Sequence, residues 1–423
     1  MRKSLVAAAL TACSLVLASC AMPADDPNWN ASAAADAVFE EDNAEEAAAE
    51  DEAVAAAESA LSAPTSIGVD APLAAPAEPG ALIVSVLDGS DSDAIMSASM
   101  AEAAEVLGWT YQEVGGVDPA DVITTAPAAF QEALDLEPAG IRISGAYVDA
   151  IAEGLAAAET AGIPVVCTGC SGAPAGAIKD TSLDGDEQNT AWAQVLAAYV
   201  YANKAPDEDA AVEMFTLPVP ALNTFGIEFI GTLATLCREC SVLEQPIDTT
   251  LLADVPLFVS DTMSISLGRW ALLESGNVSA GVADALNEAV LFEPSIILGR
   301  GASAADIALL QQTPAVEVPV ADPSAASSGD AAAEVDAASS DVLGTPEQAA
   351  ALQAWTALPA PVLGWRVIDQ FARIIGGEPL AEGPLPSQLL TVGNAADAVL
   401  DENGNYIGIA DYKEQFAALW GVS

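Results

Sequence analysis

Short apolar runs punctuate the chain at Ala81–Leu87, Gly140–Ile143, Ile163–Val166, Ala211–Phe215, Trp270–Leu273, Ser295–Leu298 and Ala315–Val320. Each is brief, rich in Val and Ile, and lacks strict alternation with polar residues, as expected of strands covered on both faces. Segments of helical period separate them: Ala94–Leu107, Val148–Ala161, Glu187–Asn203, Pro220–Leu236, Ser279–Ala289 and Ala302–Gln312. Repeated strand–helix–strand units with short links predict parallel sheets built from right-handed crossovers. There are too many units for one comfortable sheet. The expected fold class is therefore α/β, with two similar lobes, each a parallel sheet flanked by helices.

Two stretches break this rhythm. Residues 20–80 are Ala, Glu, Asp and Pro without a sustained apolar period, including Glu40-Glu41-Asp42 and the prolines Pro72, Pro76 and Pro79. Such composition predicts a disordered, self-repelling acidic stalk. Residues 322–344, rich in Ala, Ser and Asp, read as a low-complexity insertion within the folded part. Ahead of the stalk, residues 1–19 carry Arg2 and Lys3, an apolar stretch from Leu5 to Leu17, and then Leu17-Ala18-Ser19-Cys20. That is the pattern of a bacterial lipoprotein signal peptide, with Cys20 as the lipidated residue of the mature chain. The expected location is extracytoplasmic, lipid-anchored to the cell membrane.

In parallel α/β lobes ligands bind outside the carboxyl ends of the strands. The residues expected there are Asp88-Gly89-Ser90-Asp91, Ser144-Gly145-Ala146-Tyr147, Thr168-Gly169, Leu217–Phe225, Glu274-Ser275-Gly276-Asn277 and Arg300-Gly301. They are small and polar, with Tyr147 and Phe225 as candidate stacking surfaces, a mixture suited to a hydroxylated solute. From these loops the ligand-binding candidates are Asp88, Ser90, Asp91, Gly145, Tyr147, Thr168, Asn223, Phe225, Ser275, Asn277 and Arg300. Taken singly, many of these residues would also serve tight turns and helix caps.

Charge and composition narrow the function. The 423-residue chain has a net charge of −51 and no histidine. Nothing in so acidic a surface would neutralise phosphates, so nucleic acid is excluded as a partner. An anionic membrane would not attract it by charge either, which leaves anchoring to the lipid. Without histidine, Ser-His-Asp and Cys-His catalysis and HExxH zinc sites are impossible. No catalytic residue, metal site or cofactor is expected. Walker and G-x-G-x-x-G loops do not follow any strand. Asp401–Asn405 begins like a calcium loop, but Tyr406 and Tyr412 stand where glycine and glutamate belong, so a turn is the better account.

With Cys13 lost in the signal and Cys20 lipidated, Cys167, Cys170, Cys237 and Cys240 remain as two C-x-x-C pairs. Outside the cytoplasm four cysteines predict two disulfides, with three connectivities open. Zinc is disfavoured because the pairs are too far apart. A thioredoxin-type site is disfavoured because Cys167 closes a strand rather than opening a helix.

Several motifs, in order, resemble type I periplasmic binding proteins, the solute receptors of sugar ABC importers. Ala81–Leu87 followed by Met100–Trp109 is similar to their first strand and helix, and Ala161–Val166 to their "aGIPVV" strand. Gly364-Trp365-Arg366-Val367-Ile368-Asp369, continuing to Pro379, matches a late "W..iD...R...Ge" helix, and Phe416–Val422 a closing "lWgv" tail. The resemblance spans about residue 80 to the end, and Trp365 within it joins the ligand-binding set.

It implies a three-crossover hinge. The first lobe would be 81–185 and 345–385, the second 186–321 and 386–393, with 394–423 a tail packing on the lobes. The four cysteines are not a feature of the simplest sugar receptors and are expected to clip loops at Cys167/Cys170 and Cys237/Cys240 in an oxidising compartment. The implied function is capture of a small polar solute, foremost a sugar or sugar-like compound, by a monomer that delivers it to an ABC permease. A receptor for an amino acid or nucleoside, a sensor subunit for a membrane kinase, and a carboxylate-dependent surface enzyme are the alternatives. Ser275-Gly276-Asn277, Arg300 and Asp322 depart from the residues common in sugar receptors, so pentose or hexose specificity does not carry over. Arg300 is expected to meet an acidic neighbour rather than ligand.

Overall fold

The computed structural model describes residues 50–205, 208–266, 268–292, 294–314, 346–383 and 385–422. The expected signal peptide and Cys20, the first part of the expected stalk, the run Ala315–Val320 and the expected 322–344 insertion lie outside the described residues. No helix among the described residues is long and apolar enough to cross a membrane.

Among the described residues, eleven strands form two sheets. The first contains β1 (Leu82–Val86), β2 (Thr110–Val114), β3 (Gly140–Ser144), β4 (Val165–Thr168) and β5 (Ile178–Asp180), in the order β2-β1-β3-β4-β5. The second contains β6 (Ala211–Thr216), β7 (Ser241–Pro246), β8 (Trp270–Leu273), β9 (Ile296–Arg300), β10 (Ala354–Ala357) and β11 (Gln388–Thr391), in the order β11-β10-β9-β8-β6-β7. All pairings are parallel except β10 with β11. Both sheets share one winding order, with strand order reversing between β1 and β3 and between β6 and β8. That is two similar α/β lobes joined by a three-crossover hinge, at 181–185, 358–359 and 377–387.

The central strands β1, β3, β4, β8 and β9 are almost wholly buried, which is why they read as continuous apolar runs. The edge strands β2 and β7 are mostly exposed, and their sequences, TYQEV and SVLEQP, lack such a run. The helix Ala360–Gly376 is buried along nearly its whole length. It joins the first-lobe core through Val362, Trp365, Val367, Ile368 and Phe371. Gly364 lets it lie against the helix Asp91–Val106, since a Cβ there would come 2.5 Å from the Met96 carbonyl oxygen.

Two sequence boundaries are corrected. The first concerns 345–385, expected in the first lobe. Its strand β10 pairs with β9 and β11 in the second sheet, because Trp355 fills a core with Leu273, Ile297 and Leu390. The chain returns to the first lobe only at Ala360. The second concerns the stalk. Residues 50–60 are helical, and residues up to Gly80 lie on the folded body. Ile67 and Val69 are buried in the first-lobe core, and Ala57 packs with Ala198 and Leu236 of the second lobe. A few apolar residues spaced among alanines and prolines suffice to dock the segment, although no periodicity announces them.

Cys167 pairs with Cys170 and Cys237 with Cys240, at Cα separations of 5.8 and 5.3 Å. Each pair is local, as expected of clipped loops.

Candidate functional site

On the first lobe the site begins where β1 ends. Gly89 adopts a φ of +83°, which turns the chain so that Ser90 can cap the helix Asp91–Val106 by accepting from the Asp93 amide. Asp88 Oδ1 accepts from the Ser90 amide at 2.9 Å, and Asp93 Oδ2 accepts from the Asp88 amide at 2.7 Å. At the centre lies Arg142 of β3, buried and ion-paired with Asp93. Arg142 Nε donates to Thr168 Oγ1 at 3.0 Å. Burial works to raise the Asp88 pKa, but the Arg142 charge and hydrogen bonds from Ser90 and Ser144 outweigh it, and the carboxyl stays below its ordinary value. Burial pushes Asp93 up to about 6, against the pull of Arg142 and with the repulsion of Asp88.

Asp88, Ser90 and Thr168 are thus brought together around a cation that the sequence candidates did not include. Its signal was an arginine in the middle of the apolar strand Gly140-Ile141-Arg142-Ile143. A buried charge in a central strand needs a partner, and Asp93 supplies it. Gly145 is required by close approach, since a Cβ there would lie 1.9 Å from the Gly169 carbonyl oxygen.

On the second lobe Arg300, at the end of β9, is ion-paired with Asp184 and donates from Nε to Asn189 Oδ1 at 2.6 Å. Its guanidinium lies 4.9 Å from the Trp192 ring centre. The expected acidic neighbour is therefore Asp184. Glu274, after β8, is 2 % exposed and accepts from the Leu217 amide at 2.8 Å. Burial pushes it up to about 7, although that amide and the Arg300 charge pull the other way. Ser275 is buried and caps the short turn Gly276–Val278, accepting from the Asn277 amide at 3.2 Å. Gly276 lets this turn pass the β9 loop, as a Cβ would meet the Gly301 carbonyl oxygen at 2.1 Å.

The two walls touch. Asn277 Nδ2 donates to Ser92 Oγ of the first lobe at 3.1 Å. Asp186, which opens the helix Asp186–Asn203, accepts from Ser171 Oγ at 2.8 Å and the Gly172 amide at 2.7 Å on the first lobe. It also accepts from Thr224 Oγ1 of the second lobe at 2.7 Å. These hydrogen bonds hold its pKa below the ordinary value against a burial effect that would raise it. Asp91 and Asn223 lie exposed beside these contacts, next to Ser92 and Thr224 in the chain.

Three candidates are corrected. Tyr147 is 1 % exposed, donates its hydroxyl to the Val86 carbonyl at 2.6 Å, and packs in the first-lobe core. Phe225 is stacked on Phe229 inside the second lobe. Trp365 is enclosed by Tyr412, Phe416 and Trp420 on the other face of the first sheet. All three give large apolar rings to cores, where burial stabilises each by about 2–3 kcal/mol; none presents a face to the cleft. Asp93, Arg142, Asp184, Asp186, Asn189 and Glu274 are the site groups missing from the candidate set. Among the described residues no cluster of three or more Asp, Glu or Cys is placed to hold a metal ion.

No family model matches the chain, and no curated protein matches it in sequence. Solved structures do match in fold. An ABC transporter solute-binding protein from Agrobacterium vitis with bound allitol superimposes with a TM-score of 0.54 at 15% identity, over 75% of this chain and 97% of that one. A 5-methylthioribose transporter solute-binding protein from Thermotoga lettingae gives 0.56 at 15% identity, over 83% and 95%. A protein from Mycobacterium smegmatis in complex with β-D-fucofuranose gives 0.54 at 14% identity, over 81% and 98%. The chain has the two-lobed fold of type I periplasmic binding proteins.

Proposed function

We propose that the protein is an extracytoplasmic solute receptor that captures a small polyhydroxylated compound, a sugar or polyol, between its lobes. It delivers that compound to an ABC importer and acts without catalysis or cofactor. Cys20 carries a lipid that holds it at the cell membrane.

The observation that carries this reading is the meeting of the strand carboxyl ends of both lobes across Ser92 and Asn277. Asp88, Ser90 and Asp91 lead into Ser92 on one side; on the other stands Asn277, with Thr224, next to Asn223 in the chain, at the second interlobe contact through Asp186. Hydroxyl groups of a sugar both donate and accept. Carboxylates beside amide and hydroxyl groups offer matching partners, and ionised acceptors make the stronger bonds. Arg142 and Arg300 are already committed to carboxylates of the chain, which favours a neutral ligand over an anionic one. A solute touching both walls favours the closed arrangement by its differential affinity for it. The fold neighbours, described as holding allitol, 5-methylthioribose and fucofuranose, support the same ligand class.

A thermal-unfolding screen against pentoses, hexoses, polyols, amino acids and nucleosides tests the reading. A sugar or polyol at a hundred times its Kd should stabilise the protein by about 2.7 kcal/mol, with the compound recovered unchanged. Stabilisation confined to amino acids or nucleosides, or turnover of any compound, would overturn it.

A further inference from the structure

We propose that residues 61–67 form an additional hinge strap, which limits how far the lobes separate and so sets the closed fraction of the receptor. The strap is independent of which solute binds.

Its two ends are fixed on different lobes. The Leu61 carbonyl accepts from Gln388 Nε2 at 2.8 Å and from Asn394 Nδ2 at 2.9 Å, both second-lobe groups at β11. Ala60 and Leu61 pack on the second-lobe core, and Ala57 is buried between Ala198 and Leu236. Six residues later Ile67 is 1 % exposed in the first-lobe core, followed by Val69 at 5 %. From there the segment is stitched to the first lobe. Arg373 Nη2 donates to the Ala71 carbonyl at 2.6 Å, the Leu73 amide to the Leu419 carbonyl at 2.9 Å, and the Ala74 amide to Glu378 Oε1 at 2.9 Å. Trp109 Nε1 donates to the Glu78 carbonyl at 2.8 Å, just ahead of β1.

Just past the Ile67 anchor the segment meets the third crossover, and between the anchors Pro64 lies by Gly408, which itself packs on Pro386 of that crossover. A Cβ on Gly383 would meet the Gly68 carbonyl oxygen at 2.2 Å, and one on Gly408 would meet Pro64 Cγ at 3.1 Å. Fully extended, the stretch from Leu61 to Ile67 reaches about 20 Å, and Pro64 restricts it further. Any opening that carries Gln388 away from the Ile67 pocket must stretch this span or undock one of its ends. The closed arrangement, in which Ser92 meets Asn277, is the one in which both ends are seated. A receptor whose competent state is better populated binds with a correspondingly lower apparent Kd.

Disulfide trapping across the cleft tests the strap. Full-length protein carrying Ser92→Cys and Asn277→Cys is oxidised with copper phenanthroline, and the rate of cross-linking reports how often the lobes close. Six Gly/Ser residues inserted between Ser62 and Ala63 lengthen the strap while keeping both anchors. The same insertion between Asn403 and Gly404, in an exposed turn, is the control. The strap insertion should slow cross-linking about threefold or more, the control leaving it unchanged. Equal rates in all three proteins would overturn the proposal. Should the strap insertion prevent folding, hydrogen exchange on the unaltered protein decides. The Leu73 amide must be protected as strongly as the first-lobe strands; exchange at the rate of an open loop would contradict a docked strap.

Discussion

Glu274 is a carboxyl whose chemistry its setting displaces strongly. Its carboxyl sits beneath the second-lobe loops, close to Gly226, where a Cβ would come 3.0 Å from Oε1. The ordinary pKa of 4.5 rises to about 7 because burial disfavours the charge. The folded state therefore holds its proton over a pH range in which the unfolded chain has released it. This contribution to stability is complete below about pH 4.5 and disappears as pH rises through about 7, amounting to about 3 kcal/mol. Glu274→Gln keeps an oxygen for the Leu217 amide and removes the titration. It should melt well above the parent at pH 8 and close to it at pH 5. Identical curves at pH 8 would mean that burial does not raise the Glu274 pKa.

At this scale the sequence disclosed the polar loop residues but not their internal pairings. Asp88, Thr168 and Arg300 were visible as residues at strand ends. That Arg142 gathers the first set and Asp184 holds the last depends on contacts 26 to 116 residues apart. The aromatic candidates failed for a related reason. Tyr147 and Phe225 follow strand ends in the chain and Trp365 sits within the helix Ala360–Gly376, but nothing local says to which side of the sheet a ring turns.

At the scale of elements, burial decided legibility. Most strands with both faces covered are largely apolar and stood out, as β1, β4 and β8 did. The edge strands β2 and β7, and the short β5 and β10, carry polar or mixed residues and did not. The helix Val122–Asp135 escaped notice as well; it buries only alanines and Phe130 on its packed face. Fit between elements is tight at β9 and β10. A Cβ on Gly299 would come 2.0 Å from the Trp355 ring, within a fully buried strand. Gly299→Ala should accordingly cost about 1–3 kcal/mol, read as a lowered denaturation midpoint. Gly115→Ala, with nothing within 4 Å of the added carbon, is the control and should change little. Equal midpoints for both would contradict the packing of Trp355 on β9.

For the whole molecule, alternation of strands and helices gave two lobes, and the equivalent order of their sheets bears this out. What composition could not reveal is how the N-terminal segment joins them. Residues 50–80 have the alanine, acid and proline content of a stalk, yet bury Ile67 and Val69 and lend backbone carbonyls to both lobes. Few apolar anchors are enough when a preformed surface receives them. The net charge of −51 keeps the surface hydrated.

The central claim, that one solute is held by both lobes at once, is tested most directly by calorimetric titration. The sugar or polyol that best stabilises the parent is titrated into the parent, into Asp88→Ala and into Asn277→Ala. Each variant alters a single wall, and Asn277 is exposed, so its replacement leaves the core intact. The account predicts that both substitutions weaken binding about tenfold or more, equivalent to about 1.4 kcal/mol each. Unchanged affinity in either variant would contradict capture between the lobes.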